Sequence, residues 1–183
     1  MLLAKVPSIE VLLMPKLSAG LLPFRLSEDR VLEVFIAHPG GPFWAKKDNG
    51  AWSITKGEYE SGDDPKRAAH REFVEEIGSQ PPTGTTVDLG EIRQPGGKRI
   101  SVWAIDAPTF EPGKIVSNDF EVEWPPRSGM RERFPEVDRA EWMPISVARQ
   151  KLLKGQVEFL DRLSLALVEM GSEPSASGDV SLF

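Results

Sequence analysis

Two apolar runs open the patterned part of the chain. SAGLLPF, residues 18–24, and VLEVFIA, residues 31–37, have the length and composition of strands, and the polar stretch Ser27–Arg30 between them reads as a turn. His38-Pro39-Gly40-Gly41-Pro42 ends the second strand and begins a loop. That loop carries Phe43, Trp44, Lys46 and Lys47 and leads into a short segment, AWSIT, with Trp52 expected in the core. Asp64 and Pro65 then supply an N-cap and a first helical residue, and nothing from Lys66 to Ile77 breaks a helix. Ala69, Phe73 and Ile77 recur every four residues, a row suited to packing on a sheet.

After a Pro/Gly/Thr loop at Gln80–Thr86, Val87–Gln94 and Lys98–Ala107 read as a hairpin around Pro95-Gly96-Gly97. The second of these strands is apolar on both faces, which predicts a central position. Ile115–Trp124 contains a further strand, with Asp119, Glu121 and Glu123 alternating along it, and Pro125–Arg133 reads as a loop. Asp138–Met143 reads as a short strand, Ser146–Leu153 as a helix interrupted at Gly155, and Gln156–Met170 as a helix burying Phe159, Leu160, Leu163 and Leu167. This order, strands then a helix then strands then C-terminal helices, is compatible with one α/β domain over residues 14–170. Residues 171–183 read as a disordered tail. Residues 1–13 read as an extension or flexible arm, with an added strand as the other option, because Met14 offers a second start.

Composition narrows the function. At 183 residues, with 40% hydrophobic and 27% charged, the chain suits one soluble domain with a sizeable core. A net charge of −6 without a basic run argues against general nucleic-acid binding. The absence of cysteine excludes disulfides, thiol catalysis and cysteine-zinc sites, and fits a cytoplasmic setting. No apolar run is long enough for a transmembrane span, and Lys5, Pro7 and Glu10 interrupt any signal-peptide core.

The chemistry lies in the stretch Gly57–Gly78. On a helix, Glu76 lies about 40° and Glu75 about 60° from Glu72, in opposite directions, so the three carboxylates fan over about 100°. Carboxylates packed so closely repel unless cations sit between them, and hard oxygen ligands suit Mg2+ or Mn2+. The other reading is a surface helix with a solvated acidic face. Outside this stretch, Arg127, Arg131 and Arg133 form the best basic cluster, either a phosphate clamp or a surface loop. Trp44 either stacks on a nucleobase or pins its loop to the core.

The stretch resembles the box of the Nudix hydrolases, G-x5-E-x7-R-E-U-x-E-E-x-G-U with U an apolar residue. Gly57, Asp63, Arg71, Glu72, Phe73, Glu75, Glu76 and Gly78 occupy its positions, with two departures: Asp63 for the first Glu and Ser79 for the last apolar residue. The resemblance implies an αβα sandwich with a mixed sheet between helices. It also implies a Mg2+- or Mn2+-dependent hydrolase that splits a diphosphate linkage in a nucleoside diphosphate linked to a group X. Glu72, Glu75, Glu76 and the Gly57 carbonyl are the implied metal ligands. Arg71 is implied to orient glutamates, with Asp63 as its partner, and Lys56 to touch a phosphate. Family members also carry a Glu before an aromatic-containing strand, here Glu136, which binds metal, takes the water's proton, or is a plain loop acid.

The region from DRAEWMPI to the final helix is similar to diadenosine-polyphosphate hydrolases. Oxidised nucleotides, nucleotide sugars and capped RNA ends are the other substrate classes; oligomeric state is not legible. A nucleotide-binding sensor on the same fold would be expected to have lost box glutamates, and an isomerase would need a catalytic cysteine.

Overall fold

The computed structural model describes residues 15–171, so the expectations for 1–13 and for all but the first residue of 171–183 lie outside the described residues. The main sheet has six strands. They are β1 (Leu17–Leu26), β2 (Leu32–Pro39), β3 (Thr55–Tyr59), β4 (Thr86–Arg93), β5 (Arg99–Asp106) and β8 (Val137–Pro144). Their order is β4-β5-β1-β2-β8, with β3 also on β1. β1 pairs parallel with β5 and antiparallel with both β2 and β3, which makes the sheet mixed. β3 takes the first half of β1, Leu17 to Leu21, and β2 its end, Phe24 to Leu26. The two therefore diverge from a common strand.

Helix α1 (Pro65–Ile77) covers one face. Ala68, Ala69, Phe73 and Ile77 bury against Ala19, Leu21, Phe35, Ala37 and Val137. Helices α2 (Ile145–Lys151) and α3 (Val157–Glu169) lie on the other. There Ala148, Phe159, Leu160, Leu163 and Leu167 pack on Leu22, Val34, Ile36, Ile100 and Val102. Alternate residues of β1 and β2 thus feed two cores, as a two-faced strand requires. The αβα sandwich is as expected, and β5 sits inside the sheet. Trp52 is 2% exposed, in the core as expected. Among the described residues no helix is long and apolar enough to cross a membrane.

Two strands lie off the main sheet: β6 (Asp119–Glu123) and β7 (Arg131–Pro135) form their own antiparallel ribbon. This corrects the expected loop at Pro125–Arg133. RERFP has little intrinsic strand character, but the alternating acids of β6 draw it into register. Glu121 stands opposite Arg133 and meets both Arg133, at 3.1 Å, and Arg131, at 3.6 Å. β2 also runs further than expected, through Pro39, because β8 continues beside it.

Candidate active site

Helix α1 starts where the sequence places it. The Asp64 carboxylate accepts from Lys66 N–H at 2.8 Å and Arg67 N–H at 3.2 Å. It ends at Gly78, whose φ of 79° suits a left-handed cap and whose N–H donates to Val74 C=O. A fixed start, a fixed end and a buried Ala69-Phe73-Ile77 row leave Glu72, Glu75 and Glu76 one orientation relative to β3.

There the strand backbone meets them. A Cβ on Gly57 would fall 1.7 Å from Glu72 Oε2, so only glycine leaves room for this carboxylate on β3. Lys56 N–H donates to Glu76 Oε2 at 3.2 Å. Arg71 reaches over the same end. Its Nη2 donates to Glu72 Oε1 at 2.6 Å and to Glu58 C=O at 3.2 Å, and its Nε lies 3.6 Å from Glu75 Oε1. Asp63 stands off: its carboxylate accepts from Glu60 N–H at 3.3 Å and acts on Arg71 only through space. The shorter side chain has changed partner.

Glu136, between β7 and β8, faces this cluster. Its N–H donates to Asn118 C=O at 2.8 Å, Asn118 N–H donates to Glu75 C=O at 3.2 Å, and Gly40 N–H donates to Glu136 C=O at 2.9 Å. Burial pushes the Glu136 carboxyl up, and the charges of Glu72 and Glu75 push it further. Burial pushes Glu76 up to about 8 against the pull of Lys56, with Glu72 and Glu136 adding to the rise. Lys56 is pushed down by its own burial. Four carboxylates therefore share one field, with one lysine beside them. Neither Gly40 nor Asn118 carries a signal in the sequence; each acts through its backbone.

The other expected contacts fare differently. Trp44 packs partly buried against the core, with the Lys47 ammonium 4.6 Å from its ring centroid. Arg131 and Arg133 share Glu121, and Arg127 stands exposed in the ribbon's turn at φ 66°. The sequence reading groups these three arginines in one loop; the structure spreads them over a turn and a strand.

Among the described residues, no three His, Asp or Glu side chains already converge in metal-holding geometry. Glu72 and Glu75 are turned to Arg71, and Glu76 to the Lys56 N–H. The donor set nevertheless fits a divalent ion: hard oxygens in excess, mutually repelling, with burial pushing Glu76 up to about 8 despite Lys56 beside it.

Comparison with known proteins bears on this arrangement. No curated protein matches the chain significantly. In fold it is similar to a Caenorhabditis elegans Ap4A hydrolase in a binary complex, with TM-score 0.56 and 17% identity over 83% of this chain and 98% of that one. It is also similar to the NUDIX domain of Shewanella oneidensis NrtR complexed with ADP ribose, at TM-score 0.59 and 13% identity over 88% and 99%. A third is the Nudix hydrolase RenU from M. smegmatis, at TM-score 0.53 and 23% identity over 84% and 86%. The NUDIX domain family model matches residues 14–163. With that match spanning most of the chain and the box glutamates on α1 turned toward β3, the chain belongs to the NUDIX family and is a Nudix pyrophosphohydrolase.

Proposed function

We propose that the protein hydrolyses the diphosphate linkage of a nucleoside diphosphate joined to another group X, with Mg2+ or Mn2+ as cofactor. The observation that carries this reading is the shared field of Glu72, Glu75, Glu76 and Glu136 beside Lys56. Glu72, Glu75 and Glu76, with the Gly57 carbonyl, would hold the ion, and Glu136 is a further ligand or the base. A bound ion neutralises the diphosphate and acidifies water.

The protein's own groups supply the rest. Arg71 bridges Glu72 and Glu75, offsets their mutual repulsion and fixes their approach. Lys56 offers its ammonium to a phosphate oxygen on the β3 side. Arg127, the least engaged of the three arginines, is the one assigned to an outer phosphate. A water oxygen bonds to one phosphorus, the bridging P–O bond breaks with its electron pair staying on the other phosphate, and the water's proton passes to a carboxylate. The products are a nucleoside monophosphate and phospho-X.

Diadenosine polyphosphates are the first X to test, because the helices after β8 resemble that branch and one fold relative is an Ap4A hydrolase. ADP ribose is the second, because it is held by another fold relative. Cysteine-free composition supports a cytoplasmic enzyme. The test is a panel containing diadenosine tetraphosphate, ADP ribose, a nucleotide sugar, an oxidised nucleoside triphosphate and a capped RNA end. Each is incubated with Mg2+ or Mn2+ and its products are resolved by chromatography. Ion-dependent release of a nucleoside monophosphate from at least one member supports the reading. Silence across the panel refutes it.

A further inference from the structure

The mechanism above leaves His38 unused, although it is a wholly buried polar residue. It lies where the pairing of β2 with β8 slips. His38 faces Arg139 while Pro39 faces Val137, so Asp138 is the extra residue of a bulge on β8. Such bulges re-aim neighbouring side chains. The Asp138 carboxylate turns onto His38 Nδ1 at 2.8 Å, and Nε2–H donates to the Lys47 carbonyl at 2.8 Å. Both ring nitrogens are engaged, and the edge-on Trp52 ring, with centroids 5.2 Å apart, walls the imidazole in. The ring cannot turn without leaving a polar atom unpaired in the core.

Two residues on from His38 and two back from Asp138, just past the ends of both strands, stands the other half of the same joint. Gly40 N–H donates to Glu136 C=O at 2.9 Å. A Cβ on Gly40 would fall 2.0 Å from Pro135 C=O, so the two segments are in close contact. Glu136 thus leaves the bulge in a direction set on one side by Gly40 and Asn118, and on the other by the His38–Asp138 pair.

We propose that His38, through Asp138, is a positioning residue for Glu136: it locks the β8 bulge that aims Glu136 at Glu72, Glu75 and Glu76. This rests on the reading of Glu136 as a member of the catalytic cluster. A core histidine with no such role would lower stability when lost, without coupling to Glu136.

The full chain is tested as Asp138→Ala, Glu136→Gln and the double variant. Asp138 is 31% exposed at its side chain, which favours folding of the variant, and His38→Gln gives a second route to the same break. In metal-free protein, Asp138→Ala should speed amide exchange at Gly40 and Glu136 while leaving Leu22 and Val102 in the central sheet unchanged. Turnover of the panel's fastest substrate should fall about tenfold with little change in KM, the low end for losing a supporting partner. In the Glu136→Gln background the same change should cost less than about twofold, because coupled residues do not add. Unchanged exchange at Gly40 and Glu136, or an equal loss in both backgrounds, overturns the proposal and leaves the reading of Glu136 standing. Wild-type turnover in Glu136→Gln alone defeats that reading and the proposal with it.

Discussion

Gly57→Ala is the sharpest probe of how the sheet serves the site. The added methyl would stand 1.7 Å from Glu72 Oε2 and 2.0 Å from its carboxyl carbon, where ordinary contact begins near 3.4 Å. The carboxylate must therefore retreat by about 1.7 Å, the difference between these distances. Because it is the far end of a flexible side chain, the fold gives way there cheaply. Gly57 is not among the residues with positive φ, so alanine fits its backbone, and stability should change by no more than about 1 kcal/mol. Activity should not be so tolerant. A misplacement of about 1 Å in a catalytic constellation costs on the order of 10²-fold, so turnover should drop at least that far. Melting temperature and turnover, measured on the same preparation with Mn2+, separate the two effects. Wild-type turnover with an intact fold would refute the claim that Glu72 must lie against β3. A collapse in melting temperature would make Gly57 a structural residue first.

Glu75→Gln and Glu76→Gln should each lower turnover by about 10² or more while the fold survives, as read by turnover and circular dichroism. Glu136→Gln should slow turnover less, and it should raise the Mn2+ concentration for half-activity only if Glu136 binds the ion. Glu76 gives a pH signature. Its folded value near 8 exceeds the ordinary 4.5, so its contribution to stability is complete below about pH 4.5 and is lost as pH rises through about 8. The melting temperature of metal-free protein should fall over that window, and Glu76→Gln should flatten the fall. Arg71→Ala, which releases Glu72 and Glu75, should reduce turnover with little effect on KM, checked by steady-state kinetics.

The parts of the molecule legible in the sequence are those whose physics is local. The Asp64-Pro65 cap, the four-residue apolar row and the spacing of Glu72, Glu75 and Glu76 all sit on one helix, where 3.6-residue periodicity fixes their directions. The apolar runs of β1, β2 and β5 declare buried strands for the same reason. What escaped is set by partners distant in the chain. RERFP becomes β7 only because the acids of β6 lie opposite it. Glu136 is named by the resemblance, but the backbone bonds to Gly40 and Asn118 that hold it leave no periodic trace. His38 and Asp138 lie a hundred residues apart, and only the folded sheet brings them together. Trp44 shows the converse: its aromatic character suits two roles equally, and only its place against the core, with the Lys47 ammonium over its ring, comes from the fold.

The central claim is that the box glutamates of α1 hold a divalent ion, and it can be tested without knowing the substrate. The measurement is Mn2+ binding to the full chain at about pH 8, followed by the electron paramagnetic resonance of the free ion, for wild type and Glu76→Gln. The account predicts saturable binding by wild type that releases protons, because Glu76 must ionise, and binding at least about tenfold weaker in the variant. Equal binding by the two proteins would contradict it.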